Sequence, residues 1–482
     1  MRDHLPDPSR AAAEPNRSAA DPSADPPEPL SHSLKQRHLT MLGLGGVIGA
    51  GLFVGSGAGI GIAGPAIICS YLLAGVLAML VMRMLGEMSA AMPASGSFSV
   101  YAEKALGRWA GFSAGWLYWF LLVVVLAVEA TGAAKIANGW LPSVHQWVWV
   151  LVFMVVFTAT NLAAVRNFGE FEFWFAALKV GAIVLFLILG TLAVFGLLPD
   201  TDPVGTANLT GRGGFFPEGM GGVVAGMLAV VFAFGGLEVV TIAAAESDDP
   251  ARSVARAVRS AVWRILFFYV GSMLVIVTLL PWDSLRPGES PYVAVLDSIG
   301  IPAAGQIMNI VVFVALLSAL NANLYGSSRI VFSLAERGEA PGALLKVSGS
   351  GVPRRAVFAS VAFGFVSVVL NLLWPDTIFL YMLNAVGAVL LFVWALIAVS
   401  QLRLRRRIER EMPQRLTLPM WLFPYATWAA LAGMAAVLVL MLFDDSARPQ
   451  LLWSSGAAAV VLAVAGLREV RARRSAPGDH VR

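Results

Sequence analysis

Ionisable side chains inside apolar stretches are where this 482-residue chain can do chemistry, since each costs at least ~2.5 kcal/mol to hold at a bilayer centre. Lys179 lies in EFEFWFAALKVGAIVLFLILG, seven residues and about 10 Å of helical rise beyond Glu172. A lysine so placed can alternate between charged and neutral forms, which suits a proton-coupling group. Its alternative is a long stem that snorkels to the interface, with Glu172 itself interfacial. Glu238, beside Gly235 and Gly236 in VVFAFGGLEVVTIAAAE, sits near the middle of its stretch. It can face a substrate ammonium, hold a gate or serve as a structural hydrogen-bonding group. Glu129, in VVVLAVEATGAAK, lies nearer the outer end, within reach of Lys135, and is a weaker candidate for the same site. Asn321 and Asn323, in LLSALNANLYGSSR, either line a path or hold helices together.

The backbone is a second source of chemistry. The first apolar block, MLGLGGVIGAGLFVGSGAGIG, carries nine glycines, each lowering helix stability by about 1 kcal/mol relative to alanine. Unwinding is expected at Ile48–Phe53. The sixth block repeats the idea at Phe234, Gly235 and Gly236, five blocks later. Paired interruptions at matching positions build the binding site of inverted-repeat membrane carriers, and unwound backbone is tolerated at membrane depth only where it lines a cavity or binds something. Free N–H groups at Ile48, Gly49, Ala50, Gly51 and Leu52 favour a carboxylate; carbonyls and Glu238 at the second break favour an ammonium. Together they describe a site for an amino acid, with Phe234 able to close over it. The plainer alternative is glycine used for close helix packing.

These groups need long helices to carry them. The chain is 58% hydrophobic and 13% charged, against roughly a quarter charged in a soluble protein. Its apolar residues fall in twelve blocks between 41 and 467, each close to the roughly 20 residues that span a bilayer. Residues 1–33 are rich in Pro, Ala, Asp and Ser and read as a disordered tail, with no cleavable signal peptide. Assigning alternate gaps to alternate sides places 29 of the 34 lysines and arginines on one face; Lys135, Arg212, Arg286 and Arg448 fall on the other, and Lys179 inside a block. Both termini are therefore expected in the cytosol, with an even number of spans in the cell inner membrane. The net charge of +4 reflects this rule and anionic lipid, and needs no nucleic-acid partner. Cys69 is alone, so there is no disulfide framework or metal-ligand spacing. None of His4, His32, His38, His145 and His480 falls in an apolar block, which excludes a histidine proton relay within the membrane.

The stretches LKQRHLTMLGLGGVIGAGLFVGSG, PASGSFSVYAEKALGRWAGFSAGWLYW, NFGEFEFWFAALKV, FAFGGLEVVTIAAAESDDPARSVARAVRSAVWRILFFYVG and LNANLYGSSRIVFSLAERGEAP carry a resemblance. The sequence resembles the bacterial amino acid permeases of the amino acid/polyamine/organocation superfamily from about Leu34 to Leu467. TIAAAES, NFGEFEFW and IAVSQLR look most like the 4-aminobutyrate permeases, although Gly51 stands where that pattern has serine. The resemblance implies an all-α integral membrane protein with a five-plus-five inverted repeat. The domain is 34–467, with repeats at about 41–197 and 222–400, extra helices at about 422–467 and a basic tail at 468–482. It also implies substrate contacts from both breaks, proton coupling through Lys179, and import of 4-aminobutyrate or a related amino acid by proton symport and alternating access. Amino acid, protons and lipid are the implied partners, with no cofactor, no metal and no enzymatic activity. Open alternatives are an exchanger or facilitator without net proton movement, and a sensor that signals without turnover.

Overall fold

A helix satisfies its own backbone N–H and C=O groups, which is what a chain with so little polar surface requires in lipid. The computed structural model describes residues 48–92, 97–163, 168–199, 201–238, 250–285, 288–348, 351–443, 445 and 448–475, and no strand occurs among them. The expected tail at 1–33 and the acidic Glu246, Asp248 and Asp249 lie outside the described residues. In chain order the helices are α1 (Ala50–Phe53), α2 (Gly55–Ala63), α3 (Ile67–Ala91), α4 (Ser97–Leu106), α5 (Arg108–Trp140), α6 (Gln146–Ala163) and α7 (Phe168–Val194). They continue as α8 (Ala207–Thr210), α9 (Gly219–Ala233), α10 (Pro250–Arg264), α11 (Gly271–Leu279), α12 (Pro291–Ser298) and α13 (Ala304–Glu336). The last four are α14 (Arg354–Leu373), α15 (Ile378–Glu411), α16 (Tyr425–Phe443) and α17 (Arg448–Ser475). A π-helical turn, Ile265–Val270, joins α10 to α11.

Among the described residues ten helical runs are long and apolar enough to cross a membrane. One of them, Gly55–Ala91, contains both the end of the first apolar block and the whole of the second. Counting the first block separately and adding the shorter α9 accounts for the twelve blocks of the sequence. Residues 41–47 of the first block and 239–245 of the sixth lie outside the described residues. α10, PARSVARAVRSAVWR, is a basic amphipathic helix. α4 and α12 are additional short helices, too brief and too mixed in composition to register as apolar blocks.

Burial sorts the spans. In the apolar window of α5, 83% of residues are buried inside the protein, against 22% in α6 and 28% in that of α7, so α5 runs through the centre and α6 along the rim. Rim helices present Leu72, Val76, Val155, Leu185, Val366 and Leu452 outward, the apolar surface that lipid covers. Near the end of α3 a buried polar network ties three helices together. Glu87 accepts from Arg405, from the backbone N–H of Met420 and from Gln401 Nε2 at 2.7 Å, while Thr427 donates to Gln401 Oε1 at 3.0 Å. Removing the acid strands a largely buried guanidinium, so Glu87→Ala is expected to destabilise the protein by about 3 kcal/mol. Glu87→Gln, which keeps an acceptor in place, should cost less, and thermal unfolding in detergent distinguishes the two.

Candidate functional site

Gly49 is extended and caps α1, whose Leu52 and Phe53 N–H groups both bond the Gly49 carbonyl at 3.2 Å. α1 ends after four residues, and Val54, with φ −123° and ψ −45°, separates it from α2. The N–H of Ala50, at the start of α1, has no helical acceptor, as at any helix N-terminus. Glu129 supplies one: the Ala50 N–H reaches its two carboxylate oxygens at 3.0 and 3.1 Å. A Cβ at Gly49 would run into that carboxylate, which explains the glycine. Glu129 therefore does not serve as a partner of Lys135, as its sequence position allowed; Lys135 faces Glu289 and Asp376 instead. α5 packs directly against the first break here.

Lys179 is 1% exposed, so its stem does not snorkel to an interface. Its ammonium faces the carboxylates of Glu172 and Glu129. Glu172 is also buried, 1% exposed, against the protein interior rather than turned to the surface. Ser318 Oγ donates to Glu172 Oε2 at 3.0 Å and Asn321 Nδ2 to Oε1 at 3.4 Å. Asn161 Nδ2 donates to Asn321 Oδ1 at 2.8 Å and so fixes the amide's orientation. Asn321 is thereby a brace for Glu172, and Asn323 bonds its own helix at Ala319 O. One lysine and two carboxylates from α5 and α7 thus meet beside the first break, held in place by α6 and α13.

At the second break α9 ends at Ala233, and Gly236 takes φ +92°, a conformation that favours glycine. The Gly236 N–H donates to Glu238 Oε1 at 3.1 Å. Among the described residues Oε2 of the same buried carboxylate has no partner at hydrogen-bond distance, and Tyr118 and Trp394, both side chains with a polar hydrogen to donate, lie beside it. Phe234 stacks on Tyr269 at 5.0 Å and meets Tyr71 edge-on at 6.1 Å. The two breaks touch each other. A Cβ on Gly51 would come within 2.7 Å of Ala233 Cα and 2.8 Å of the Phe232 ring, so Gly51 is needed for that approach. Ile48, Ala50 and Leu52 are buried around it. Sequence reasoning missed Tyr118, Trp394, Ser318 and Asn161, since single polar or aromatic residues in apolar helices carry no local signal. No cluster of three or more His, Cys, Asp or Glu that could hold a metal occurs among the described residues.

A family model described as amino acid permease matches residues 38–467. A gamma-aminobutyric acid permease of Bacillus subtilis (strain 168) is 50% identical over 433 residues, covering 90% of this chain and 92% of that protein. An aromatic amino acid transport protein of Corynebacterium glutamicum is also 50% identical, over 427 residues, 88% of this chain and 92% of that protein. A gamma-aminobutyric acid permease of Escherichia coli (strain K12) is 45% identical over 420 residues, 86% and 90% of the two chains. Equal identity to relatives named for two different substrates means that overall similarity does not choose between them.

The contact between Glu129 and the first break is open to a direct test. Gly49→Ala inserts a methyl group where the carboxylate now sits and costs the Ala50 bond, worth about 1.5–3 kcal/mol for a charged acceptor. Thermal stability should fall by a comparable amount, and substrate uptake, normalised to folded protein in the membrane, should fall roughly tenfold to a hundredfold. Gly181→Ala, where no atom lies within 4 Å, is the control. Normal uptake by Gly49→Ala would separate the contact from transport.

Proposed function

The chain belongs to the amino acid permease family and is a multi-pass membrane protein, and we propose that it imports 4-aminobutyrate or a related small amino acid by proton symport. The observation that carries this reading is the carboxylate of Glu129 on the Ala50 N–H. A backbone donor in a water-excluded interior, already holding one carboxylate, is suited to hold another. The substrate carboxylate takes the Ala50 N–H once Glu129 yields it, and its ammonium turns to the second break, where Glu238 Oε2 has no hydrogen-bond partner among the described residues.

Proton coupling follows from the charges around Lys179. With all three groups ionised, Lys179, Glu129 and Glu172 carry a formal net charge of −1 in a low-dielectric setting. One proton makes the cluster neutral. If Glu129 takes it, its grip on the Ala50 N–H weakens, because a neutral carboxyl is a poorer acceptor than a carboxylate. Proton entry and substrate entry then favour each other, as linkage requires. Lys179 is the coupling group, since its ammonium faces both acids and decides which of them stays ionised. Alternating access arises as the elements carrying the breaks, α1, α2 and α9, rock against α5, α7 and α13. Both termini lie in the cytosol, the side that collects the basic residues of the sequence.

The coupling role has a two-assay test. In proteoliposomes, Lys179→Ala should abolish accumulation driven by an inward proton gradient, while counterflow exchange, which needs no net proton movement, survives in part. Accumulation retained in Lys179→Ala overturns the role. Competition of labelled 4-aminobutyrate uptake by a panel of unlabelled amino acids reads out the substrate; strong inhibition by aromatic amino acids alone would reassign it.

A further inference from the structure

Away from the site, the last turns of α15 form one wall of a groove of about 560 Å³. α15 has 34 residues and is about 50 Å long, well beyond a ~30 Å hydrocarbon core, so its arginine-rich end emerges from the bilayer. Arg403, Arg406, Arg407 and Arg410 stand at i, i+3, i+4 and i+7, the spacing of a single helical face, and all four are exposed and line the groove. The one acid in the lining is Glu411, which pairs with Arg407 at 2.8 Å. Among the described residues none of the other three arginines has a carboxylate partner: Arg403 bonds the Ala105 carbonyl and Arg410 the Arg406 carbonyl. The groove therefore holds a net positive charge that the protein leaves uncompensated.

The remaining lining is of opposite character. Val399 and Leu402 lie one to two turns back along α15, toward the membrane, and Pro424 and Trp428 face them from the start of α16. Trp428 is 59% exposed, and next to it Tyr425 is 79% exposed, the amphipathic aromatics that settle at headgroup level. Cationic at its outer end and apolar toward the hydrocarbon, the groove matches a molecule with a phosphate at one end and acyl chain at the other. We propose that the groove between α15 and α16 binds the headgroup of an anionic phospholipid, its phosphate on Arg406 and Arg410 and its acyl chains on Val399, Leu402 and Trp428. Arginine suits this task because its planar fork binds phosphate oxygens in pairs. A free inorganic phosphate would use the arginines but not the apolar wall. The proposal rests on the orientation given above, which puts this end of α15 in the cytosol, and it is independent of the substrate and of Lys179.

Full-length protein is reconstituted in nanodiscs containing phosphatidylcholine with a fixed fraction of either brominated phosphatidylglycerol or brominated phosphatidylcholine. Trp428 fluorescence is isolated as the difference from Trp428→Phe. Brominated phosphatidylglycerol is expected to quench Trp428 more than brominated phosphatidylcholine at equal fraction. Each arginine removed, in Arg406→Gln and Arg410→Gln, should lower the preference for the anionic lipid about fivefold. Equal quenching by the two lipids in the wild type overturns the proposal without any arginine variant. So does a preference that Arg406→Gln plus Arg410→Gln leaves intact. If inorganic phosphate at millimolar concentration displaces brominated phosphatidylglycerol from the groove, the groove is a soluble-phosphate site and the lipid assignment fails. Intact gradient-driven uptake in the double variant is expected alongside, since neither arginine touches the transport site.

Discussion

A backbone amide left unpaired in hydrocarbon costs several kcal/mol, and the arrangement of this protein turns on how one such amide, Ala50 N–H, is satisfied. Helix α1 starts at Ala50 behind an extended Gly49, and its first N–H would be prohibitive without an acceptor. The central helix α5 supplies it in Glu129. That answer creates a second difficulty, a carboxylate in the same low-dielectric interior, and Lys179 on α7 answers it. Lys179 in turn faces Glu172, which needs Ser318 and Asn321 on α13, with Asn161 on α6 holding the amide of Asn321. One broken hydrogen-bond ladder thus recruits four further helices.

Satisfaction by a side chain differs from satisfaction by a helix in one respect that matters for transport. A helical N–H bonds a carbonyl that cannot leave, whereas Glu129 hangs on a flexible stem and can change both its position and its charge. The break is stable at rest and still available to a competing carboxylate. The second break is built with the same economy. Gly236 donates to one oxygen of Glu238 and, among the described residues, the other has no partner at hydrogen-bond distance, so that site too is held together and incomplete.

The spans, the two breaks and a lysine within a span were legible in the sequence because hydropathy and glycine content are properties of a continuous stretch. What escaped is relational. Glu172 looked interfacial because EFEF begins the apolar block, but the side chain turns into the protein, where Ser318 and Asn321 of α13 bond it. Glu129 looked as if it belonged to Lys135, six residues on, because a sequence shows neighbours along one helix and not the packing that sets α5 against α1. Gly51 read as a donor for substrate; its absent side chain also lets the first break lie on Ala233. Asn321 was recognised as polar and in the membrane, while its partners sit 149 and 160 positions away.

The same geometry bears on selectivity. On the proposed reading, the groups that hold the substrate carboxylate and ammonium are backbone amides and acids, which recognise what all amino acids share. Relatives equally similar to this chain are named for 4-aminobutyrate and for aromatic amino acids, so the discriminating surface must lie in side chains around that common frame. Phe234 is a poor candidate for a freely swinging discriminator, because it is locked between Tyr269 and Tyr71 on the side of α3. Tyr118 and Trp394 are better placed: both lie beside Glu238, on helices other than those that carry the breaks. Residues on the surround can change the width of the pocket without disturbing the amide and acid contacts, which lets one backbone site serve substrates of different size.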